Sequence, residues 1–403
     1  MRENKFVFVV CGGKEHVDTL HFSLHTLRHF SKNEILVVTD TQRNEIAVKH
    51  DNIIDVITPE HLDHHQASIY LKTSLYRILP VGPLYCYLDT DVIALSNDVD
   101  DIFNHKTGVV TFAPDHSQMH QFSPYAVNCG CLAENRRDWH ELDTILRKFD
   151  SASKVVGPNA IKKQQELKRK FELIKRNRLV YFQTALKYFL PGNTMRFDDD
   201  TYYNKASRAW YDSQGNVILH DLPQNAISQI ENSTNWKWNR LRRRWISQAG
   251  KDVHDLHCQH LRENILKKFD VQIDNEKWQH WNGGVFLFDQ GSRTFLHLWH
   301  LRTMKIFKDP AWKTRDQGTL IATVWQLGLQ HSDLLSKQFN FIADPSNPRL
   351  MISDDEQYIT DDAFETKYSP VFIHIFNQFG NKDWEVWEWI TNKLAKENLT
   401  PKG

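Results

Sequence analysis

Phe6-Val7-Phe8-Val9-Val10 is an unbroken run of β-branched and aromatic residues closed by Cys11-Gly12-Gly13, and it predicts a strand buried on both faces. Apolar residues then recur at helical spacing through Leu20, Leu24, Leu27 and Phe30. Ile35-Leu36-Val37-Val38 predicts a second buried strand ending at Thr39-Asp40, and Ile53–Ile57 a third, shorter one. Leu71, Leu75, Ile78 and Leu79 predict a helix stopped by Pro80, before the strand Leu84–Leu88. Apolar strands alternating with amphipathic helices predict an α/β fold whose mostly parallel central sheet is covered on both faces. In such sheets ligands sit beyond the carboxyl ends of the strands, where Val10, Cys11, Gly12, Asp40 and Asp89 fall.

The pattern changes between about 150 and 277. Ile161–Tyr181 is charged with helical spacing, turn residues gather at Asp212–Asn216, and Trp236–Trp245 mixes tryptophan with arginine. Apolar strand sequence resumes at Gly283–Phe288, followed by helical patterns over Leu296–Met304 and Thr319–Leu327. A late strand, Pro370–Ile375, and a tryptophan-rich helix, Trp384–Leu394, complete the pattern. The division expected is therefore 1–149, a largely helical insertion over 150–277, and 278–403.

Lysine plus arginine equals aspartate plus glutamate, 50 against 50, which counts against a nucleic-acid binder. The five cysteines lack paired ligand spacing. Cys129-Gly130-Cys131 stands isolated, and neither His257-Cys258-Gln259-His260 nor the His61–His65 run completes a metal set. All five read as reduced thiols of a cytoplasmic protein. No apolar run reaches the roughly 18 residues of a membrane helix.

The chemistry concentrates at Tyr85-Cys86-Tyr87-Leu88-Asp89-Thr90-Asp91-Val92-Ile93-Ala94-Leu95. Two carboxylates interrupt an apolar strand, where an unpaired buried charge costs several kcal/mol. In extended chain, residues i and i+2 point the same way, so Asp89 and Asp91 can reach one hard divalent cation.

This segment resembles the metal-binding motif of GT-A glycosyltransferases, in particular glycosyltransferase family 8, the glycogenin and lipopolysaccharide galactosyltransferase type. Tyr70–Pro80 resembles the family's preceding helix, with Lys72 as its donor-contacting basic residue and Arg77 as the alternate. Trp281-Asn282-Gly283-Gly284-Val285 resembles the Asn-x-Gly-Val strand beside the sugars, which implies that Asn282, Gly283 and Gly284 contact substrate. Val127–Leu132 is a weaker copy. Arg315-Asp316-Gln317-Gly318 resembles the pair at the reacting sugar carbon. His374-Ile375-Phe376 through Gly380, Lys382 and Trp384 resembles the family's closing segment, in which the histidine is a third metal ligand and the lysine meets the diphosphate. Here two or three extra residues separate His374 from Gly380, and Asp383 stands where the family has proline. The resemblance spans about residues 5–115 and 278–390 and leaves the middle uncovered.

The resemblance implies a GT-A enzyme moving a sugar from a nucleotide diphosphate, usually uridine diphosphate, to a glycan, glycolipid or protein with retention of anomeric configuration. The cation implied is Mn2+, or Mg2+, on Asp89, Asp91 and His374, the nitrogen ligand favouring manganese. Val10, Cys11, Gly12 and Asp40 would hold the nucleoside, with Lys72 and Lys382 adding positive charge and Asp316 and Gln317 acting at the sugar carbon. The rivals are a sugar-nucleotide pyrophosphorylase, whose loop Cys11–His16 matches only faintly, and a non-catalytic glycan-binding protein on the same scaffold. Arg240, Arg242, Arg243 and Arg244 beside Trp236, Trp238 and Trp245 suit peripheral contact with an anionic inner-membrane surface.

Overall fold

A computed structural model describes residues 3–150, 163–164, 166–167, 169–171, 174, 177–221, 224–239, 244–247, 252, 256–347, 349–353, 355–361 and 366–399. The chain forms two compact units. The first comprises Met1–Cys129, His257–Thr360 and Lys367–Gly403, the second Gly130–Leu256 with Asp361–Thr366.

The first unit is built on a six-stranded sheet. Its strands are β1 (Asn4–Val10), β2 (Glu34–Thr39), β3 (Ile53–Asp55), β4 (Leu84–Leu88), β6 (Thr111–Gln118) and β7 (Gln279–Phe288), with β5 (Val92–Ala94) lying outside it. The order is β3-β2-β1-β4-β7-β6. The first four strands are parallel, and β7 runs antiparallel to both neighbours. The α/β reading with a mostly parallel sheet is borne out. Strand periodicity divides the apolar residues between two cores. Phe6, Phe8 and Val10 of β1 join Leu84, Cys86 and Leu88 of β4 on one face. Val7 and Val9 join Tyr85 and Tyr87 on the other. Tyr87 stacks on Phe286 and Tyr85 on Phe288, directly across the β4–β7 pair.

Helices cover both faces. α1 (Lys14–Phe30) buries Val17, Leu20, Leu24, Leu27 and Phe30 in the first core. α2 (His64–Thr73) begins with an Asp63–Gln66 capping box and lies over the second. The helix expected over Leu71–Leu79 breaks at Ser74 into α2 and a single turn, Leu75–Ile78. The Thr73 hydroxyl, which donates to the Ile69 carbonyl, lies 2.8 Å from His300 Nδ1, and Ser74 lies 3.4 Å from the same ring nitrogen. The second core is completed by α3 (Met119–Ala126), α4 (His260–Phe269), α5 (Arg293–Ile306) and α6 (Arg315–Gln326). A three-stranded sheet places β9 (Phe372–Ile375) between β8 (Phe341–Ala343) and β5, and α7 (Glu385–Lys396) packs Val386, Ile390 and Leu394 into the first core.

The second unit begins twenty residues earlier than the sequence pattern indicated and ends well before 277. Leu261, Ile265, Val271 and Ile273 belong to the core of the first unit, so the α4 region returns to it. Among the described residues the second unit combines its helices with short strands. Beside the helices Cys131–Asp150, Arg178–Phe189 and Gln224–Ser233, it carries a four-stranded antiparallel sheet within 194–220 and a hairpin of Trp236–Asn239 with Arg244–Ser247. These strands are three or four residues long, too short to show a period in sequence. Trp236 and Trp245 are buried against Leu142, Ile227 and Ile230, with Trp238 edge-on to Trp245. The expected tryptophan surface is therefore mostly a small core. Arg240, Arg242 and Arg243 lie outside the described residues, and the Arg244 side chain is likewise not described.

Candidate active site

The site forms at the carboxyl end of β4, where the chain runs from Leu88 through Asp89-Thr90-Asp91 into β5. The β5–β9 pairing sets His374 opposite Val92, and the Ile375 amide donates to the Asp91 carbonyl at 3.1 Å. Two remote segments thereby converge: one ligand atom each from Asp89, Asp91 and His374 lie within 4.8 Å of one another. His374 Nε2 is 3.2 Å from Asp91 Oδ1. Burial opposes charge on Asp91, yet the adjacent His374 ring holds its carboxyl below the ordinary value. Burial likewise opposes charge on His374, and Asp91 and Asp89 raise it.

A hydrogen-bonded chain fixes the imidazole. His374 Nδ1 lies 3.1 Å from Asn340 Oδ1, which can only accept, so Nδ1 carries the proton and Nε2 faces Asp91. Asn340 donates to Asn282 Oδ1 at 3.1 Å, and Asn282 donates to Asp115 at 3.0 Å. Asp115 lies 3.2 Å from His116 and 3.3 Å from His280. Burial alone would raise Asp115, but His280 and His116 hold it well below the usual carboxylate range. The Asn282 carbonyl oxygen, which also accepts the Gly284 amide, and one N–H are thus engaged within the protein.

Lys72 projects from the last turn of α2 and is almost fully buried. Its Nζ lies 3.2 Å from Asp89 Oδ1 and 3.2 Å from Asp316 Oδ2. Burial works against its charge, but Asp89 and Asp316 outweigh burial and raise its pKa. Tyr87 donates its hydroxyl to Asp89. Asp316 sits in the first turn of α6 and Gln317 follows it, with Oε1 accepting from the Gly283 amide at 3.0 Å. The expected members Asp89, Asp91, His374, Lys72, Asp316, Gln317, Asn282, Gly283 and Gly284 thus share one neighbourhood.

The two glycines lie where a side chain would crowd the site, Gly284 against His374 and Asp89 and Gly283 against only the end of Gln317. A Cβ on Gly284 would stand 2.5 Å from His374 Cε1 and 2.8 Å from Asp89 Oδ2, and one on Gly283 would stand 2.6 Å from Gln317 Oε1. The pairing of β7 with β6 shifts register between Asn282 and Phe286, a bulge that carries both glycines to the triad.

The other expected residues lie in different settings. Asp40 follows β2 directly, with its oxygens committed to the Thr58 amide and hydroxyl and the Gln42 amide. Val10 and Cys11 are buried, and burial pushes the Cys11 thiol up to about 11. Gly12 has φ +119° and donates to Asn44 Oδ1. Lys382 is exposed in the segment between β9 and α7. Sequence reasoning missed Asn340, Asp115 and Tyr87. A polar residue beside the apolar run Phe341–Ala343 was the available signal for Asn340.

Two carboxylates and an imidazole on rigid strand ends suit a divalent cation with positions left for other oxygens. The donor set fits the group implied by the sequence.

No family model matches the chain, and no curated protein matches it. Among solved structures it is similar to the apo WbbM bifunctional glycosyltransferase, at 11% identity and TM-score 0.40, covering 99% of this chain and 50% of that one. It is similar to the galactosyltransferase LgtC in complex with donor and acceptor sugar analogs, at 10% identity and TM-score 0.41, covering 99% and 98%. It is also similar to apo mouse xyloside xylosyltransferase 1, at 10% identity and TM-score 0.35, covering 94% and 98%. At TM-scores of 0.41 and below, what the site does has to be read from its own residues.

Proposed function

We propose that the chain is a metal-dependent glycosyltransferase of the GT-A type that uses a nucleotide-diphosphate sugar, with uridine diphosphate as the nucleotide. The observation that carries this reading is the convergence of Asp89, Asp91 and His374 beside the buried Lys72–Asp316 pair and Gln317. A Mn2+ or Mg2+ held by the triad supplies Lewis-acid stabilisation of the departing diphosphate. Lys72 adds a fixed positive charge on the same side. Asp316 and Gln317 sit across from the triad on a helix N-terminus, placed to stabilise positive charge at the sugar carbon. Among the described residues the site presents no spare base beyond these groups, which agrees with a retaining transfer in which the leaving phosphate takes the acceptor proton.

For the acceptor we propose a glycan or glycolipid at an anionic membrane surface. Trp236 and Trp245 of the hairpin are buried, but the helix Arg178–Phe189 exposes Leu179, Phe182, Leu186 and Phe189 at helical spacing, with Leu190 following. Among the described residues no helix is long and apolar enough to cross a membrane.

The test is nucleotide-sugar hydrolysis and thermal stabilisation across a donor panel, with and without manganese. Bound donor raises stability by RT ln(1 + [L]/Kd). Manganese-dependent stabilisation and turnover with one donor are expected. Stabilisation without turnover would favour a glycan- or nucleotide-binding protein instead.

A further inference from the structure

Two short sequence pairs, each too incomplete alone to mark a metal, meet in the folded chain. Cys129 and Cys131 flank Gly130, whose φ of +83° turns the chain tightly between them. Cys258 and His260 flank Gln259 at the start of α4. One ligand atom from each of Cys129, Cys131, Cys258 and His260 lies within 4.8 Å of the others. We propose that these four residues form a closed structural zinc site, separate from the Asp89–Asp91–His374 triad.

The sulfur geometry separates a metal site from a disulfide. Cys129 Sγ and Cys258 Sγ are 3.9 Å apart, far beyond a disulfide bond of about 2.05 Å. A tetrahedron with Zn–S bonds of about 2.3 Å has edges of about 3.8 Å. Three thiolates and one imidazole are a soft donor set that selects zinc, and four protein ligands leave no open position for chemistry.

The surroundings support thiolate. Cys131 opens the helix Cys131–Asp150 and His260 opens α4, so both pairs lie at helix N-termini, where negative charge is favoured. Buried Ser123 accepts the Leu261 amide at 2.9 Å, leaving its hydroxyl hydrogen for Cys258 Sγ at 3.1 Å. The Cys258 amide donates to the His120 carbonyl on α3, which fixes the loop.

The placement gives the metal a task. Cys129 is the last residue of the first stretch of unit one, and Cys258 is the second residue after the chain returns. Zinc pins the two ends of the 130–256 excursion, and a cross-link closing a long loop removes entropy from the unfolded chain.

The full chain, purified from zinc-supplemented culture without chelator, is expected to contain one zinc per chain by elemental analysis. A mercurial thiol reagent should release it. Cobalt exchange should give a thiolate-to-cobalt charge-transfer band and the visible bands of tetrahedral Co2+. Cys258→Ser should lose the zinc and lower Tm. His260→Cys should retain a metal with a shifted cobalt spectrum, and Asp91→Asn should keep the zinc unchanged. Zinc that survives Cys258→Ser but leaves with Asp91→Asn would place it in the triad and overturn the proposal. So would wild-type protein with no stoichiometric zinc and no thiolate band on cobalt addition, or a Cys129–Cys258 disulfide found in unreduced peptides.

Discussion

At the scale of single residues, the site is a packing problem as much as an electrostatic one. Asp91→Asn removes one anionic ligand and leaves the strand intact. Manganese-dependent nucleotide affinity measured by calorimetry should be lost while Tm changes little. Unchanged affinity would remove the metal assignment. Gln317→Ala should lower kcat far more than it weakens donor binding, because a group acting on the transition-state carbon contributes little to ground-state affinity. Collapse of donor affinity with normal single-turnover rates would place Gln317 among the binding contacts instead. The two neighbouring glycines should separate cleanly. Gly284→Ala drives a methyl into His374 and Asp89, and overpacking of this kind costs about 1–3 kcal/mol. Tm and metal-dependent binding should both fall. Gly283→Ala meets the end of the Gln317 side chain, which can swing away, so binding should persist and kcat should drop. Equal effects of the two substitutions on metal binding would contradict this assignment of space. Asp89 and Asp91 were legible in sequence as charges set in an apolar strand, whereas Lys72 was legible only through the family resemblance. The two consecutive glycines were legible only as a motif. The crowding at Gly284, by His374 from ninety residues away, belongs to the folded chain.

At the scale of elements, pairing between distant strands completes the site. The strands β1, β2 and β4 were readable because both their faces are buried, which leaves a continuous apolar signature. The β5–β9 pair was not readable. β9 lies within the strand Pro370–Ile375 read from sequence, but nothing local says that Val92 will face His374. The same holds for Asn340, which acts only through the ring it orients. Asn340→Ala should weaken metal binding about 10- to 100-fold without removing a ligand, as loss of an outer hydrogen bond does. Metal titration followed by nucleotide binding measures this, and an unchanged affinity would show that the imidazole holds its orientation unaided. Behind that relay, His116 lies 3.2 Å from Asp115 and 3.4 Å from Asp344, linking β6 to the segment after β8. Burial would lower its pKa, but the two carboxylates raise it to about 10. Because the folded value lies above the unfolded value of about 6.5, protonated His116 stabilises fully below that pH, and its contribution disappears as pH rises through about 10. Denaturant midpoints for His116→Gln should therefore fall short of wild type at pH 6 and converge with it near pH 10. A gap independent of pH would assign the loss to packing.

At the scale of the molecule, one unit carries every residue of the candidate site and the other carries the surface that asks for a partner. Sequence placed tryptophan and arginine at that surface, but strand pairing turned Trp236 and Trp245 into a core with Leu142, Ile227 and Ile230. A pattern of aromatic and basic residues reports composition, and only the fold decides which side faces water. The helix Arg178–Phe189, only the start of which falls in the charged stretch Ile161–Tyr181 read from sequence, leaves Leu179, Phe182, Leu186 and Phe189 50–79% exposed. An exposed apolar face of this kind marks an interaction surface. On the membrane role proposed above, a helix too short to span a bilayer would lie in the interface, its apolar face toward the acyl chains and Lys187 nearer the headgroups. Burying a phenylalanine side chain is worth about 1.5–3 kcal/mol, and about 1.4 kcal/mol is tenfold in partition. Phe182→Ser with Phe189→Ser should therefore reduce binding to anionic vesicles by about a hundredfold or more in co-sedimentation. Hydrolysis of donor in solution should be unchanged, since neither residue belongs to the catalytic unit. Wild-type binding should also weaken with salt, in proportion to the cations that share the surface. If the wild-type chain stays in the supernatant with anionic vesicles at low salt, the membrane role is removed and the exposed helix face belongs to a protein or soluble glycan partner.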